Sequence, residues 1–239
     1  LKYYGFDKLM SIYPLSAIVI DEIQTYNPEM AAIIIKTIEI VRSLRGNVLI
    51  LTATFPPYFE AFVNERNGFK ILDLRRYENK SKVKNYSLKR HKLKVLDNGK
   101  LFDFEEGKYR VTEEGLGEIK GIAVEQKEKN ILIIVNNVGK AIELFKELER
   151  EKYIKERVIL KENSGAEEVP LLLHSRLIEK EKGRRINAIK KALRNNKKGM
   201  ILVSTQIVEA SVDIDFDLLI TEASPIDSQI QRWGRIYRN

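Results

Sequence analysis

The chain contains no cysteine among its 239 residues, so it holds no disulfide framework and no thiolate metal site. No run of about 18 apolar residues occurs, which excludes a membrane-spanning helix. No stretch reads as a signal peptide, and a cytoplasmic setting is the expectation. The pattern Gly-x-x-x-x-Gly-Lys-Ser/Thr, whose backbone amides and lysine cradle phosphates, is also missing. Its nearest approach, Gly139-Lys140-Ala141, lacks the earlier glycine and the hydroxyl and reads as an ordinary helix start. A His-Asp doublet is absent as well.

What is present describes a folded, basic protein. Hydrophobic residues make up 44% and charged residues 32%, a globular balance. The formal net charge of +8 favours a polyanionic partner, nucleic acid first. A merely basic soluble protein would carry the same charge. The chain starts at Leu1 and stops at Asn239 directly after the pair Arg235 and Arg238. Both ends read as cut, and a longer parent is expected.

Apolar runs alternate with helical stripes. Residues 16–20 are a continuous apolar strand of the kind buried on both faces of a parallel sheet, ending in Asp21-Glu22-Ile23-Gln24. Asn27 caps a helix with Pro28 in its first turn, and Ala31, Ile34, Ile35, Ile38 and Val41 follow at helical spacing. Residues 48–51 give a second strand, with Thr52-Ala53-Thr54 at its end. A sheet this narrow needs cover from an upstream segment, a partner or another copy. Residues 81–128 read as a Lys-rich connection, with an exposed strand near His91 and a hairpin turn at Asn98-Gly99. A helix from Glu113 to about Lys127 is weakened by three glycines. Beyond it lie strands at 131–135, 170–173, 200–203 and 218–221, a helical stripe from Val138, and a basic helix over 183–196. Asp227 or Ser228 is expected to cap a last short helix carrying Gln231 and Arg232 to Gly234. The expected organisation is residues 1–80, a connection over 81–128, and a second α/β unit over 129–239.

Open parallel sheets bind ligands at the carboxyl ends of their strands. Four polar clusters fall there. Asp21 suits Mg²⁺, which takes few carboxylates beside phosphate oxygens. Glu22 suits an attacking water, and Gln24 a terminal phosphate. An acidic strand end that caps a helix is the plain alternative. Ser175, Arg176 and Thr205 suit nucleic-acid phosphates. Asp213 suits a ribose hydroxyl or an arginine, and His174 alone is more often a satisfied turn residue. Arg235 and Arg238, three apart beside Gly234, form a possible guanidinium fork for phosphate, or a solvated basic end.

Taken in order, these pieces resemble a superfamily 2 helicase core. Asp21-Glu22-Ile23-Gln24 is similar to its second motif, Thr52-Ala53-Thr54 to the third, residues 131–137 to the strand of the fourth, 205–213 to the fifth and 231–238 to the sixth. The last match, Gln-Arg-x-Gly-Arg-x-x-Arg, is the specific one. Val19 to Met30, residues 51–57, Leu173-His174-Ser175-Arg176 and residues 205–213 most resemble the CRISPR-associated helicase–nuclease of type I systems.

That resemblance implies RecA-like parallel sheets with flanking helices, a partial first lobe and a nearly complete second one. It implies ATP and Mg²⁺ as cofactors, with Asp21, Glu22, Gln24, Arg235 and Arg238 at the chemistry. Asp213, Gln231 and Arg232 would then lie at the nucleotide, and Thr52, Ala53 and Thr54 would couple hydrolysis to strand movement. The implied partners are single-stranded DNA, an RNA-guided surveillance complex, an HD nuclease domain and the missing half of the first lobe. Without the phosphate cradle, little ATP hydrolysis is expected of this chain alone. Another superfamily 2 RNA or DNA helicase, or a non-catalytic nucleic-acid-binding module, remain alternative readings.

Overall fold

The computed structural model describes residues 11–23, 26–52, 59–62, 69–70, 91–95, 100–161, 168–209 and 213–236. The chain divides into two compact units, Leu1–Tyr86 and Ser87–Asn239.

In the first unit, β1 (Ala17–Asp21) leads to α1 (Pro28–Ser43) and then to β2 (Asn47–Leu51). Asn27 accepts a hydrogen bond from the Met30 N–H at 2.8 Å, which is the cap expected of it. Ala31, Ile38 and Val41 are buried, with Ile34 and Ile35 partly so, as the helical spacing required. Gly46 ends the helix where a Cβ would stand 2.5 Å from Val41 Cγ1. β1 and β2 pair in parallel, Ala17 opposite Asn47 and Asp21 opposite Leu51. Ile20, Val48 and Ile50 turn inward onto Ile23, Ile38 and Phe59. The other face departs from the expectation of two-sided burial. There Val19, Leu49 and Leu51 are 59%, 52% and 45% exposed. Strand side chains alternate, and α1 covers one side only.

The second unit opens with β3 (Phe102–Glu105) and β4 (Lys108–Val111), an antiparallel hairpin. Its turn is Glu106-Gly107, both with positive φ (50° and 77°), the backbone that a tight two-residue hairpin needs. The turn expected at Asn98-Gly99 lies outside the described residues, and residues 91–95 are exposed and form no strand. α2 (Glu113–Glu125) follows, capped by Thr112, its glycines notwithstanding. Leu101, Phe102, Val111, Ile119 and Ala123 enter the same core as the sheet below, so this part of the expected connection is docked on the second unit.

Next come β5 (Ile131–Ile134), α3 (Val138–Arg150), α4 (Lys152–Val158), β6 (Ile159–Lys161), β7 (Glu168–Pro170), β8 (Leu172–Leu173), α5 (Glu179–Arg194), β9 (Ile201–Ser204), β10 (Leu218–Thr221) and α6 (Ile226–Trp233). The expected strand over 170–173 is split. β7 pairs antiparallel with β6, and β8 pairs parallel with β9. The main sheet runs β10-β5-β9-β8, all parallel. β5 and β9 are buried on both faces, the state their unbroken apolar sequence calls for. Ile131 and Ile133 face α2, α3 and α4, while Leu132 and Ile134 face α5 and the β9–β10 connection. α5 begins one turn before the expected position. α6 has Pro225 at its cap with no side-chain cap bond, so Asp227 and Ser228 sit within it. Among the described residues no helix is long and apolar enough to cross a membrane.

Candidate functional site

Parallel pairing brings the strand ends of each unit to one edge. In the first unit, Asp21 closes β1 and is exposed, and its Oδ1 accepts the Glu22 N–H at 2.9 Å. Glu22 takes a left-handed backbone, φ 50°, and its N–H also donates to the Leu51 carbonyl at 3.0 Å. A non-glycine residue there is uncommon, and such positions gather at functional sites. Ile23, wholly buried, anchors the turn so that both carboxylates stay outside the core. Thr52, half-buried, follows β2 at the same edge. Gln24, Ala53 and Thr54 lie outside the described residues. An exposed aspartate backed by its own turn is the oxygen donor that Mg²⁺ takes beside phosphate, so Asp21 fits that ion.

In the second unit the edge is held by a polar network. Arg232, fully buried, donates from all three guanidinium nitrogens. Nε meets Glu209 Oε1 at 2.7 Å, Nη1 meets Thr221 Oγ1 at 2.7 Å and the Glu222 carbonyl at 3.0 Å, and Nη2 meets Asn136 Oδ1 at 2.8 Å. The loop after β9, the end of β10 and the end of β5 thus converge on α6. Ser228 Oγ adds a bond to Glu209 Oε2 at 2.9 Å, and Lys140 Nζ one to Glu222 Oε1 at 2.6 Å. Lys140 therefore serves the network from the first turn of α3, as its reading as a plain helix start allows.

This placement bears on three expected contacts. Arg232, expected at the nucleotide, is engaged within the protein and presents no surface. Thr205 is only 3% exposed, its N–H bonded to the Leu173 carbonyl at 3.1 Å, so its expected phosphate contact is not on the surface. Arg235 is 9% exposed and donates from Nη2 to the Glu209 carbonyl. Arg238, the other arm of the expected fork, lies outside the described residues. Gln231 is half-buried, while Ser175, Arg176 and Asp213 are exposed. His174 is buried, with Nδ1 lacking a hydrogen-bond partner. Burial, then Arg185 and Arg176, lower its pKa from the ordinary 6.5, which holds it neutral at physiological pH.

Glu209, Asn136 and Glu222 had no assigned role in the sequence reading. Their signal was indirect, since a buried guanidinium requires several oxygen acceptors.

Residues 127–239 match the family model described as CRISPR-associated nuclease/helicase Cas3, C-terminal. A Cas3 of Methanothermobacter thermautotrophicus is 47% identical over 239 residues, all of this chain and 26% of that protein. Along its whole length the chain is similar to part of a Cas3 protein, and residues 127–239 match the C-terminal region of that family. The chain spans about a quarter of the length of the relatives it matches. A Cas3 of Streptococcus thermophilus is 29% identical over 255 residues, 25% of its length. Among solved structures, T. fusca Cas3-ATP superposes with a TM-score of 0.61 at 19% identity, over 93% of this chain and 27% of that one. The Cas3-type fold is thereby matched as an α/β arrangement of parallel sheets with flanking helices.

Proposed function

We propose that this chain is part of the ATP-driven motor of a Cas3-type enzyme, one that moves single-stranded DNA during CRISPR interference. Residues 1–80 are then the rear of a first RecA-like lobe and 129–239 a second. Residues 81–128 pass between them. The observation that carries the reading is the exposed pair Asp21-Glu22 at the carboxyl end of β1, in a chain 47% identical throughout to a Cas3 protein. Asp21 would hold Mg²⁺, which supplies charge neutralisation at the phosphates. Glu22 orients water and accepts its proton. Thr52, Ala53 and Thr54 lie where hydrolysis is coupled to movement. Arg235 and Arg238 offer positive charge to phosphoryl oxygens, with Gln231 and Asp213 beside the nucleotide. For Arg235 this requires release from the Glu209 carbonyl. Ser175 and Arg176 take DNA phosphates. An RNA-guided surveillance complex would recruit the parent in the cytoplasm, and an HD nuclease domain would cut the strand.

The test is ATP hydrolysis. The full parent should hydrolyse ATP when single-stranded DNA is added and lose that stimulation on Glu22→Gln, by about 10²–10⁴-fold. This chain alone, lacking the phosphate cradle, should turn over negligibly. DNA-stimulated turnover by the chain alone, lost on Glu22→Gln, would overturn that dependence. The same missing cradle, with the net charge of +8, favours a second reading: a nucleic-acid-binding module that hydrolyses nothing. Joining the chain to the upstream half of its parent restores ATPase in the motor reading only.

A further inference from the structure

α5 carries a cationic face that the motor motifs do not use. It is the crossover from β8 to β9, so it starts beside Ser175 and Arg176 at the carboxyl edge and runs back to the other edge. At about 100° per residue, Lys180, Lys191 and Arg194 fall within about 60° of arc, roughly opposite the buried Ile189. All three are exposed. Lys180 to Arg194 spans about 21 Å along the axis.

Its charges are not the mixed kind that merely keeps a surface wet. The helix acids Glu179 and Glu181 are both in the first turn, paired with Lys182, Arg184 and Arg185. From Lys182 to Lys198 there is no Asp or Glu at all. Among the described residues Lys180, Lys191 and Arg194 make no ion pair. On α3, by contrast, Lys140, Glu143, Lys146, Glu147, Glu149 and Arg150 mix both signs. Cations in the last turn also complement the helix dipole. That accounts for Lys191 and Arg194 but not for Lys180 or Arg176.

We infer that the outer face of α5 is a second track for the phosphate backbone of single-stranded DNA, continuing from Ser175 and Arg176 down the side of the unit. This rests on reading the chain as part of a DNA motor. The face carries no aromatic residue, so it grips phosphates only and is indifferent to base sequence.

The experiment measures binding of fluorescent oligothymidylate to the purified chain by anisotropy across a salt series. The triple variant Lys180→Glu, Lys191→Glu, Arg194→Glu is compared with an equal charge change elsewhere, Lys146→Glu, Lys152→Glu, Lys155→Glu. Thermal unfolding checks that both remain folded. The α5 variant should bind at least about tenfold more weakly, with a salt slope shallower by about two for three lost phosphate contacts. The control should change affinity less than about threefold. Equal losses in both variants would reduce the effect to net charge and overturn the track. So would wild-type affinity in the α5 variant, no binding by the wild-type chain, or polyglutamate competing as well as DNA. Failure of the motor reading shows separately, as parental ATP hydrolysis indifferent to Glu22→Gln.

Discussion

Arg232 sits at the centre of the second unit's polar edge, and its chemistry sets a steep stability dependence. A buried guanidinium is tolerated because Glu209, Thr221, Glu222 and Asn136 supply acceptors from three directions. Arg232→Ala leaves Glu209 buried without its counter-charge, and should cost about 3–5 kcal/mol in urea unfolding. Arg232→Lys should recover little, because an ammonium cannot reproduce the planar fork. Loss within about 0.5 kcal/mol would show that the network adds no net stability. His174 gives a pH signature of its own. Its folded pKa is depressed below 6.5, so the native state binds fewer protons than the unfolded chain in that window. Its stabilising contribution is full above about pH 6.5 and is lost as pH falls through the folded value. His174→Leu should flatten the fall in thermal midpoint between pH 7 and 5. An unchanged slope would assign the acid sensitivity to other groups.

At the scale of elements, the parallel sheet was legible because its strands are unbroken apolar runs, and 131–134 and 201–204 proved buried on both faces. The β3–β4 hairpin was not, because the Glu-Gly of its turn, Glu106-Gly107, is a weaker signal in sequence than Asn-Gly or Asp-Gly. α5 began early because Glu179 and Glu181 favour a helix N-terminus more than the later Gly183 does. The β1–β2 sheet carries the apolar sequence of a covered strand and shows one bare face. Val19→Thr, Leu49→Thr and Leu51→Thr together should lower binding of an apolar dye and self-association, with far-ultraviolet dichroism retained, since each is a β-branched replacement on an exposed strand face. Undiminished dye binding would place the sticky surface elsewhere.

At the scale of the whole molecule, the two units differ in how much of the chemistry they show. The acidic pair and Thr52 were legible because strand-terminal residues in a parallel sheet reach one edge whatever surrounds them. The arginine series was legible as a motif but not in its geometry. Sequence spacing put Arg232 on the last short helix and Arg235 just beyond Gly234 in a fork with Arg238, whereas packing against Glu209 draws Arg232 and Arg235 inward. The ATPase test belongs at this scale, since the chain is about a quarter as long as its relatives and the phosphate cradle is not in it.

The Arg232 hub has a mechanical corollary. One side chain fastens the tips of two strands, the segment after a third and a helix, so none of these pieces can be pulled without dragging the rest. A load applied to that rim would be shared among these pieces as by a rivet.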